Sequence, residues 1–414
     1  MRKLIHDVDV AVIGGGPAGL AAAAAAAREG AHVLLIDRNP QLGGILNQCI
    51  HDGFGLHAFG EVLTGPEFAN RYLQQAEQAG VILQSNTLVA SLKGDGELLC
   101  SRLGVREIVR TKATVLAMGC RERTRGMIRI PGARPAGVYT AGTAQWFTNM
   151  ANVRIGHRVV ILGSGDIGLI MARRLTWEGA EVVAVIEKLP YPSGLPRNIN
   201  QCLLDYDIPL HLSHSVICIH GKDRLERVTV GRFDETGCVV QGSEFDLECD
   251  TLLLSVGLIP ENELSRRAGV TLDRTTCGAQ VADSYMTNVP GIFSCGNVLH
   301  IHDLADWAAE EGERAGASAA RYAEGGAATF DNDTVAVTPS EGIRYVIPQH
   351  VRRSSDSALV SFRVTSPRGA TTVQAVSGGV ILGTLRLRKA HPATMEQLTI
   401  RCDDLTNDVE VMCE

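Results

Sequence analysis

The most constraining feature of this chain is a glycine-rich turn set between a strand and a helix near its beginning. Val8, Val10, Val12 and Ile13 make a short apolar strand that runs into Gly14-Gly15-Gly16-Pro17-Ala18-Gly19. An alanine-rich helix follows, then a second apolar strand over residues 33–36, with Asp37 at its end, 23 residues after Gly14. Each glycine meets a separate steric demand: Gly14 makes the tight turn, Gly16 lets a pyrophosphate reach bare backbone, and Gly19 lets helix and strand pack closely. The helix N-terminus, opened by Pro17 and Ala18, presents its positive dipole end to the phosphates. Asp37 is placed to accept hydrogen bonds from a ribose diol. A glycine turn alone fits an unliganded loop. Strand, helix, second strand and terminal acid in register specify a bound dinucleotide.

The pattern recurs 149 residues later. Residues 159–162 lead into Gly163-Ser164-Gly165-Asp166-Ile167-Gly168, a helix through Trp177, a strand over residues 181–186, and Glu187, 24 residues after Gly163. Two fingerprints in one chain imply two dinucleotides. A carboxylate at the strand end hydrogen-bonds a free 2′-hydroxyl and repels a 2′-phosphate, so Glu187 favours NAD over NADP, with Lys188 beside it acting in the opposite sense.

The remaining composition narrows the class. At 414 residues the chain exceeds what one core holds, which predicts two or three domains. It is 45% hydrophobic and 21% charged with 44 glycines, as a compact α/β protein with many tight turns would be. A net charge of −7 argues against a nucleic-acid surface. The chain enters its first strand almost at once, without room for a signal peptide, and residues 20–27 are too short to cross a bilayer, so a cytoplasmic protein without a transmembrane segment is expected. The eleven cysteines are never closer than eleven residues apart and form no C-x-x-C, which points to reduced thiols.

With both fingerprints in hand, the chain resembles the flavoproteins with two dinucleotide-binding domains, the superfamily of disulfide reductases, ferredoxin reductases and NADH oxidases. Three further stretches match that pattern in order: residues 114–119 ending on Gly119, residues 250–257 ending on Gly257 and followed by Pro260, and Gly291-Ile292-Phe293-Ser294-Cys295-Gly296-Asn297. The resemblance covers residues 7 to 325. It implies an α/β fold of two Rossmann-like three-layer domains, the second inserted in the first, with a small C-terminal β-rich module. The expected limits are 1–125 with 275–328 for an FAD-binding domain, 126–274 for an NAD-binding domain and 329–414 for the module. FAD is expected on Gly14, Gly16, Pro17, Ala18, Gly19, Asp37, Arg38, Gly44, Gly119, Gly296 and Asn297. NAD(H) is expected on Gly163, Gly165, Asp166, Ile167, Gly168, Glu187 and Gly257. One departure stands out: the late motif usually ends in Asp, and here it ends in Asn297.

Disulfide reductases carry a redox cysteine pair soon after the first fold or inside the second. This chain has neither. Cys49 stands alone where a pair would need two, and is read as a redox thiol, a flavin-contacting side chain or a small buried residue. His51 and His57 flank a glycine turn nearby and are candidate acid–base groups. His300, His302 and Asp303 cluster after Asn297, but no third ligand of matching spacing completes a metal set, and helix N-capping accounts for Asp303, so no metal is expected.

Residues 119–123 and 130–145 resemble the flavoprotein subunits of opine oxidase, sarcosine oxidase α and hydrogen cyanide synthase. They are closer still to the NAD(P)/FAD oxidoreductases that accompany anaerobic glycerol-3-phosphate dehydrogenases. In those groups the chain is one component of an assembly. The implied partner is a second dehydrogenase flavoprotein or an iron–sulfur electron-transfer subunit, with a small-molecule donor or acceptor. Short β-like runs at 343–351, 359–365, 372–376, 380–387 and 398–402 make the C-terminal segment a small β-rich module, read as a partner-docking surface in preference to a structural cap. The leading expectation is an NADH-linked flavin enzyme relaying electrons without a redox disulfide. The alternatives are oxidation of an amine, imino acid or polyol near Cys49, His51 and His57, and a cofactor-holding component without catalysis.

Overall fold

A computed structural model of the chain describes residues 4–326, 333–403, 405 and 407–413. Residues 1–3 and 327–332, where expected domain limits fall, lie outside the described residues. The contacts divide the chain into two units, residues 121–259 and the remainder, so one unit interrupts the other in sequence.

The first unit is built on a mixed sheet. Strands Ile82–Gln84, Val33–Ile36, Leu4–Ile13 and Val105–Leu116 lie side by side in that order, parallel throughout. The far edge of Val105–Leu116 is shared: its first half pairs antiparallel with Glu97–Arg102, and its second half pairs parallel with the late strand Ile292–Ser294. Val10, Val12, Val33, Leu35 and Val115 on one face and Ala11, Ile13, Leu34, Ile36 and Leu116 on the other are all buried, as a sheet covered by helices on both sides requires.

Helices Pro17–Arg28 and Ala305–Ala323 pack on each other through small residues. A Cβ at Gly312 would lie 2.1 Å from the Ala18 carbonyl oxygen, and one at Gly316 would lie 2.0 Å from that of Ala22. The alanine run of the first helix is therefore a close-packing surface, buried from Ala18 to Ala26.

The C-terminal strands belong to this same unit. A five-stranded sheet, in the order His350–Arg352, Thr334–Pro339, Val409–Cys413, Thr371–Ser377 and Val380–Leu387, shares one apolar core with the three-stranded sheet of Ile343–Ile347, Ser357–Val364 and Glu396–Arg401. The expected run at 343–351 is two strands, and Thr334–Pro339 and Val409–Cys413 add to those read from the sequence. Strand Ile343–Ile347 serves two cores. Ile343 and Val346 face the β-module, while Tyr345 and Ile347 face the core of the dinucleotide fold.

The second unit has its own five-stranded parallel sheet, in the order Val138–Thr140, Thr251–Leu254, Arg158–Leu162, Glu181–Glu187, Leu210–Leu212. An antiparallel sheet of His214–Gly221, Leu225–Arg232 and Phe245–Glu248 accompanies it. Among the described residues no helix is long and apolar enough to cross a membrane.

Candidate functional site

The first glycine cradle is shaped by backbone contact. Gly14 adopts φ +108°, its N–H donates to the Ile36 carbonyl at 2.8 Å, and a Cβ there would stand 2.3 Å from the Ala117 carbonyl oxygen. Gly19 is tighter still, with 1.8 Å from its would-be Cβ to the Gly14 oxygen. Gly16 differs: a Cβ there meets no described atom within 4 Å, so its surface is open, as a phosphate needs. Gly44 approaches that surface, its would-be Cβ 3.0 Å from the Gly16 Cα. Asp37 is 8% exposed and accepts the Gly15 N–H at 2.6 Å and the Asn39 N–H at 2.7 Å. It therefore rigidifies the glycine turn while each oxygen keeps a lone pair for a ribose hydroxyl. Arg38 follows it with an exposed side chain.

Two distant motifs close on this cradle. The Cys295 N–H donates to the Leu116 carbonyl at 3.1 Å, which brings Gly119 and Gly296 to the same end of the sheet. Gly296, at φ +71°, has a would-be Cβ 2.6 Å from that of Ala18, and the Asn297 amide reaches the Cys120 sulfur at 3.6 Å. Gly14, Gly16, Gly44, Gly119 and Gly296 thus gather at one end of the sheet, with open space at Gly16 and a buried acid, Asp37, at the strand end.

In the second unit Gly163 repeats the turn, with φ +97° and its N–H on the Ile186 carbonyl at 2.7 Å. The Ser255 hydroxyl accepts the Gly168 N–H at 3.1 Å, and a Cβ at Gly165 would lie 3.3 Å from that oxygen. Ile167 follows in the first turn of helix Asp166–Trp177. Asp166 anchors the loop beyond the sheet by accepting the Leu195 N–H at 2.8 Å and the Asn198 amide at 2.6 Å. Glu187 is 5% exposed and heavily engaged: Oε2 accepts from the Ser164 N–H, the Ser164 hydroxyl and the Ser193 hydroxyl, and Oε1 from the Leu189 N–H. Only Oε1 retains capacity for a ribose hydroxyl. Lys188 places its ammonium over the Phe233 ring, 4.9 Å from the centroid. The Gly257 carbonyl accepts the Arg123 N–H at 3.0 Å.

Cys49 caps the 3₁₀ turn Gly44–Gln48 that starts at the first cradle, and its thiol donates to the Ile45 carbonyl at 3.3 Å. His51 and His57 rest on different partners. The His51 ring lies 5.1 Å from Phe54 with Nδ1 2.8 Å from the Asp52 carbonyl, whereas exposed His57 stacks on Trp307 at 4.7 Å. The segment carrying His57 is fixed by a residue whose role the sequence did not reveal. Asp306 is 4% exposed and accepts the N–H groups of Gly55, His57 and Ala58 at 3.2, 3.1 and 3.0 Å.

The loop after Asn297 departs from expectation. Leu304, not Asp303, is the N-cap residue of helix Ala305–Ala323. The Asp303 carboxylate instead accepts from the Arg363 guanidinium at 3.2 Å and from the Met395 N–H at 3.3 Å, because the β-module packs against this loop. His300 and His302 meet Glu311, which no sequence argument selected: their Nε2 atoms stand 2.9 and 3.5 Å from its Oε2. Burial holds His300 neutral, with its pKa lowered to about 4. Burial by itself would raise the Glu311 carboxyl, but His300 and His302 beside it hold it well below the usual range. A signal existed, since Glu311 falls on the same helix face as Ala308 and Ala315. A carboxylate on a small-residue packing stripe is a buried one.

Residues 8–312 match the model of the pyridine nucleotide-disulphide oxidoreductase family. An opine oxidase component of Agrobacterium tumefaciens is 28% identical over 283 residues, 64% of this chain and 55% of that protein, so the chain spans about half of that relative's length. The glutamate synthase [NADPH] small chain of Mycobacterium tuberculosis is 28% identical over 371 residues, 79% of this chain and 69% of that one. The crystal structure of T. acidophilum thioredoxin reductase shares the fold, with a TM-score of 0.64 at 23% identity, covering 77% of this chain and 99% of that one. With a family match running from the first fingerprint through the second and back into the helix that follows Asn297, this chain belongs to the pyridine nucleotide-disulphide oxidoreductases, FAD-dependent flavoproteins built on Rossmann folds.

Proposed function

We propose that the chain is an NADH-linked FAD oxidoreductase that uses no redox disulfide and exchanges electrons with a partner subunit. The observation that carries this reading is the pairing of two complete glycine cradles with a lone cysteine, Cys49, at the turn leading from the first. When bound, FAD supplies the hydride and electron chemistry. The chain's own residues supply position. Gly16 and Gly44 leave room for the pyrophosphate, Asp37 takes the ribose, and Gly296 with Asn297 closes the other end. The opine oxidase relative is named as one of that enzyme's subunits and the glutamate synthase relative as a small chain, which supports a partner here.

Preference for NADH rests on Glu187, whose buried carboxylate stands at the end of its strand while Lys188 is drawn onto Phe233. A tenfold preference, about 1.4 kcal/mol, is a modest demand for a carboxylate facing a phosphate. The test is anaerobic mixing of the purified yellow protein with NADH, NADPH or a small amine, imino acid or polyol while the flavin absorbance is followed. Rapid bleaching by NADH at about two electrons per flavin is expected. Equal rates with NADPH refute the role of Glu187, and bleaching by an organic substrate alone places substrate oxidation in this chain.

A further inference from the structure

Outside both glycine cradles, three side chains converge on one point. His300 is 1% exposed as a residue, and the side chains of His302 and Glu311 are 2% and 5% exposed. Both imidazoles are held from behind by an oxygen. The His300 Nδ1 lies 3.2 Å from the Tyr345 hydroxyl, and the His302 Nδ1 lies 3.2 Å from Asn297 Oδ1, which also accepts the His302 backbone N–H at 2.9 Å. Their Nε2 atoms both face Glu311 Oε2, at 2.9 and 3.5 Å. An imidazole fixed through Nδ1 by an outer oxygen, with Nε2 directed inward, is the arrangement that orients metal-ligating histidines.

One atom makes the case sharper. The His302 Nε2 is buried and has no hydrogen-bond partner among the described residues, and in the tautomer whose Nδ1 proton is directed at Asn297 it carries a bare lone pair. It points at a carboxylate oxygen. Two acceptors facing each other in a dry interior repel, and a cation between them reverses the sign. The two nitrogen-to-oxygen separations, 2.9 and 3.5 Å, bracket the roughly 3.3 Å between neighbouring ligands on a tetrahedral centre with bonds of about 2.0–2.1 Å. The three ligand atoms all lie within 4.8 Å of one another.

We propose that His300, His302 and Glu311 bind one divalent transition-metal ion of the zinc class, through the two Nε2 atoms and Oε2, with a small ligand such as water completing the set. Its neighbours tie the ion into the fold. The other carboxylate oxygen, Oε1, accepts the Gly296 N–H at 2.6 Å, so the ion clamps the turn at residues 296–302 onto helix Ala305–Ala323. Asn297 gains a reason as well. A neutral amide oxygen can take both His302 donors without adding a second carboxylate charge to the site. The proposal is independent of nucleotide preference and of any partner.

The test uses the full chain with zinc ion as the probe. Protein incubated with excess Zn²⁺ is dialysed against a weak chelator and its metal content measured, alongside His302→Ala and Glu311→Gln. Wild type should keep about one zinc per chain and both variants much less, and X-ray absorption should show a nitrogen and oxygen shell without sulfur. His302→Ala leaves the His300–Glu311 and Gly296–Glu311 hydrogen bonds in place, and its thermal melting shows whether lost zinc reflects a lost fold. No retained zinc in wild type overturns the site. So does equal retention by folded His302→Ala, or a sulfur shell, either of which would assign the metal to cysteines.

Discussion

Gly16 and Gly19 sit three residues apart and answer to different constraints. A side chain at Gly19 must displace the Gly14 carbonyl, whereas a Cβ at Gly16 meets no described atom within 4 Å and would occupy the proposed phosphate position. Gly19→Ala should therefore lower thermal stability, by roughly 1–3 kcal/mol as overpacking does, while Gly16→Leu should stay folded by circular dichroism and come off the column colourless. A Gly16→Leu protein that retains full flavin would remove the cradle assignment. Cys49 invites a second substitution. Without a neighbouring cysteine to form a pair, the Cys49→Ser protein should still be bleached by NADH and still reduce an artificial dye at a similar rate; uptake of NADH electrons without turnover would make this thiol a redox centre. Most other thiols are poor candidates for that role. Burial pushes Cys100 and Cys249 up to about 12 and raises Cys295 well above the usual thiol range, so they should resist alkylation in the folded protein while exposed Cys238 and Cys277 react.

At the scale of elements, the two long helices of the first unit reverse an ordinary rule. Replacing glycine with alanine inside an exposed helix stabilises by about 1 kcal/mol, because glycine gives up more backbone freedom on folding. At Gly312 and Gly316 the sign should invert. The added carbon would stand about as far from a backbone carbonyl oxygen as a covalent second neighbour, and backbone cannot rotate away as a flexible side chain would. Gly316→Ala should cost about 1–3 kcal/mol in denaturant unfolding, and a neutral or stabilising result would show that the helices separate more easily than their packing implies. The alanine-rich helix was legible in sequence because a small-residue run after a glycine turn has few other uses. Its partner surface was not, since the glycine spacing from 312 to 316 means close approach only once another backbone is known to lie there.

Across the whole molecule, a buried guanidinium is one of the contacts by which the β-module reaches the dinucleotide fold of its own unit. Arg363 donates to the Tyr345 hydroxyl at 3.1 Å, the Pro392 carbonyl at 3.0 Å, the Ala393 carbonyl, the Ile301 carbonyl at 3.0 Å and Asp303 at 3.2 Å. Arg363→Met keeps the length and removes every donor, leaving the Asp303 carboxylate buried without its cation. Breaking such a pair costs about 3–5 kcal/mol, so the variant should melt earlier and release FAD more readily as the loop after Asn297 loosens. Unchanged flavin retention would show that the module does not support that loop. The strands Thr334–Pro339 and Val409–Cys413 were missed for a related reason. They pair with each other from opposite ends of the module, and a short apolar alternation gains meaning only from its neighbour. What the sequence by itself determined was local: two strand–turn–helix cradles with their terminal acids, because the turn, the phosphate approach and the helix packing each demand glycine at a fixed spacing within some thirty residues. What only the tertiary structure decided was the fate of the long polar side chains. Asp306 caps a segment some 250 residues away in sequence, Asp303 pairs with Arg363 across 60, and Glu311 gathers two histidines rather than facing water. A carboxylate on a helix reads the same in sequence whether it is solvated or buried, and the energy that separates the two cases lies in partners brought together by folding.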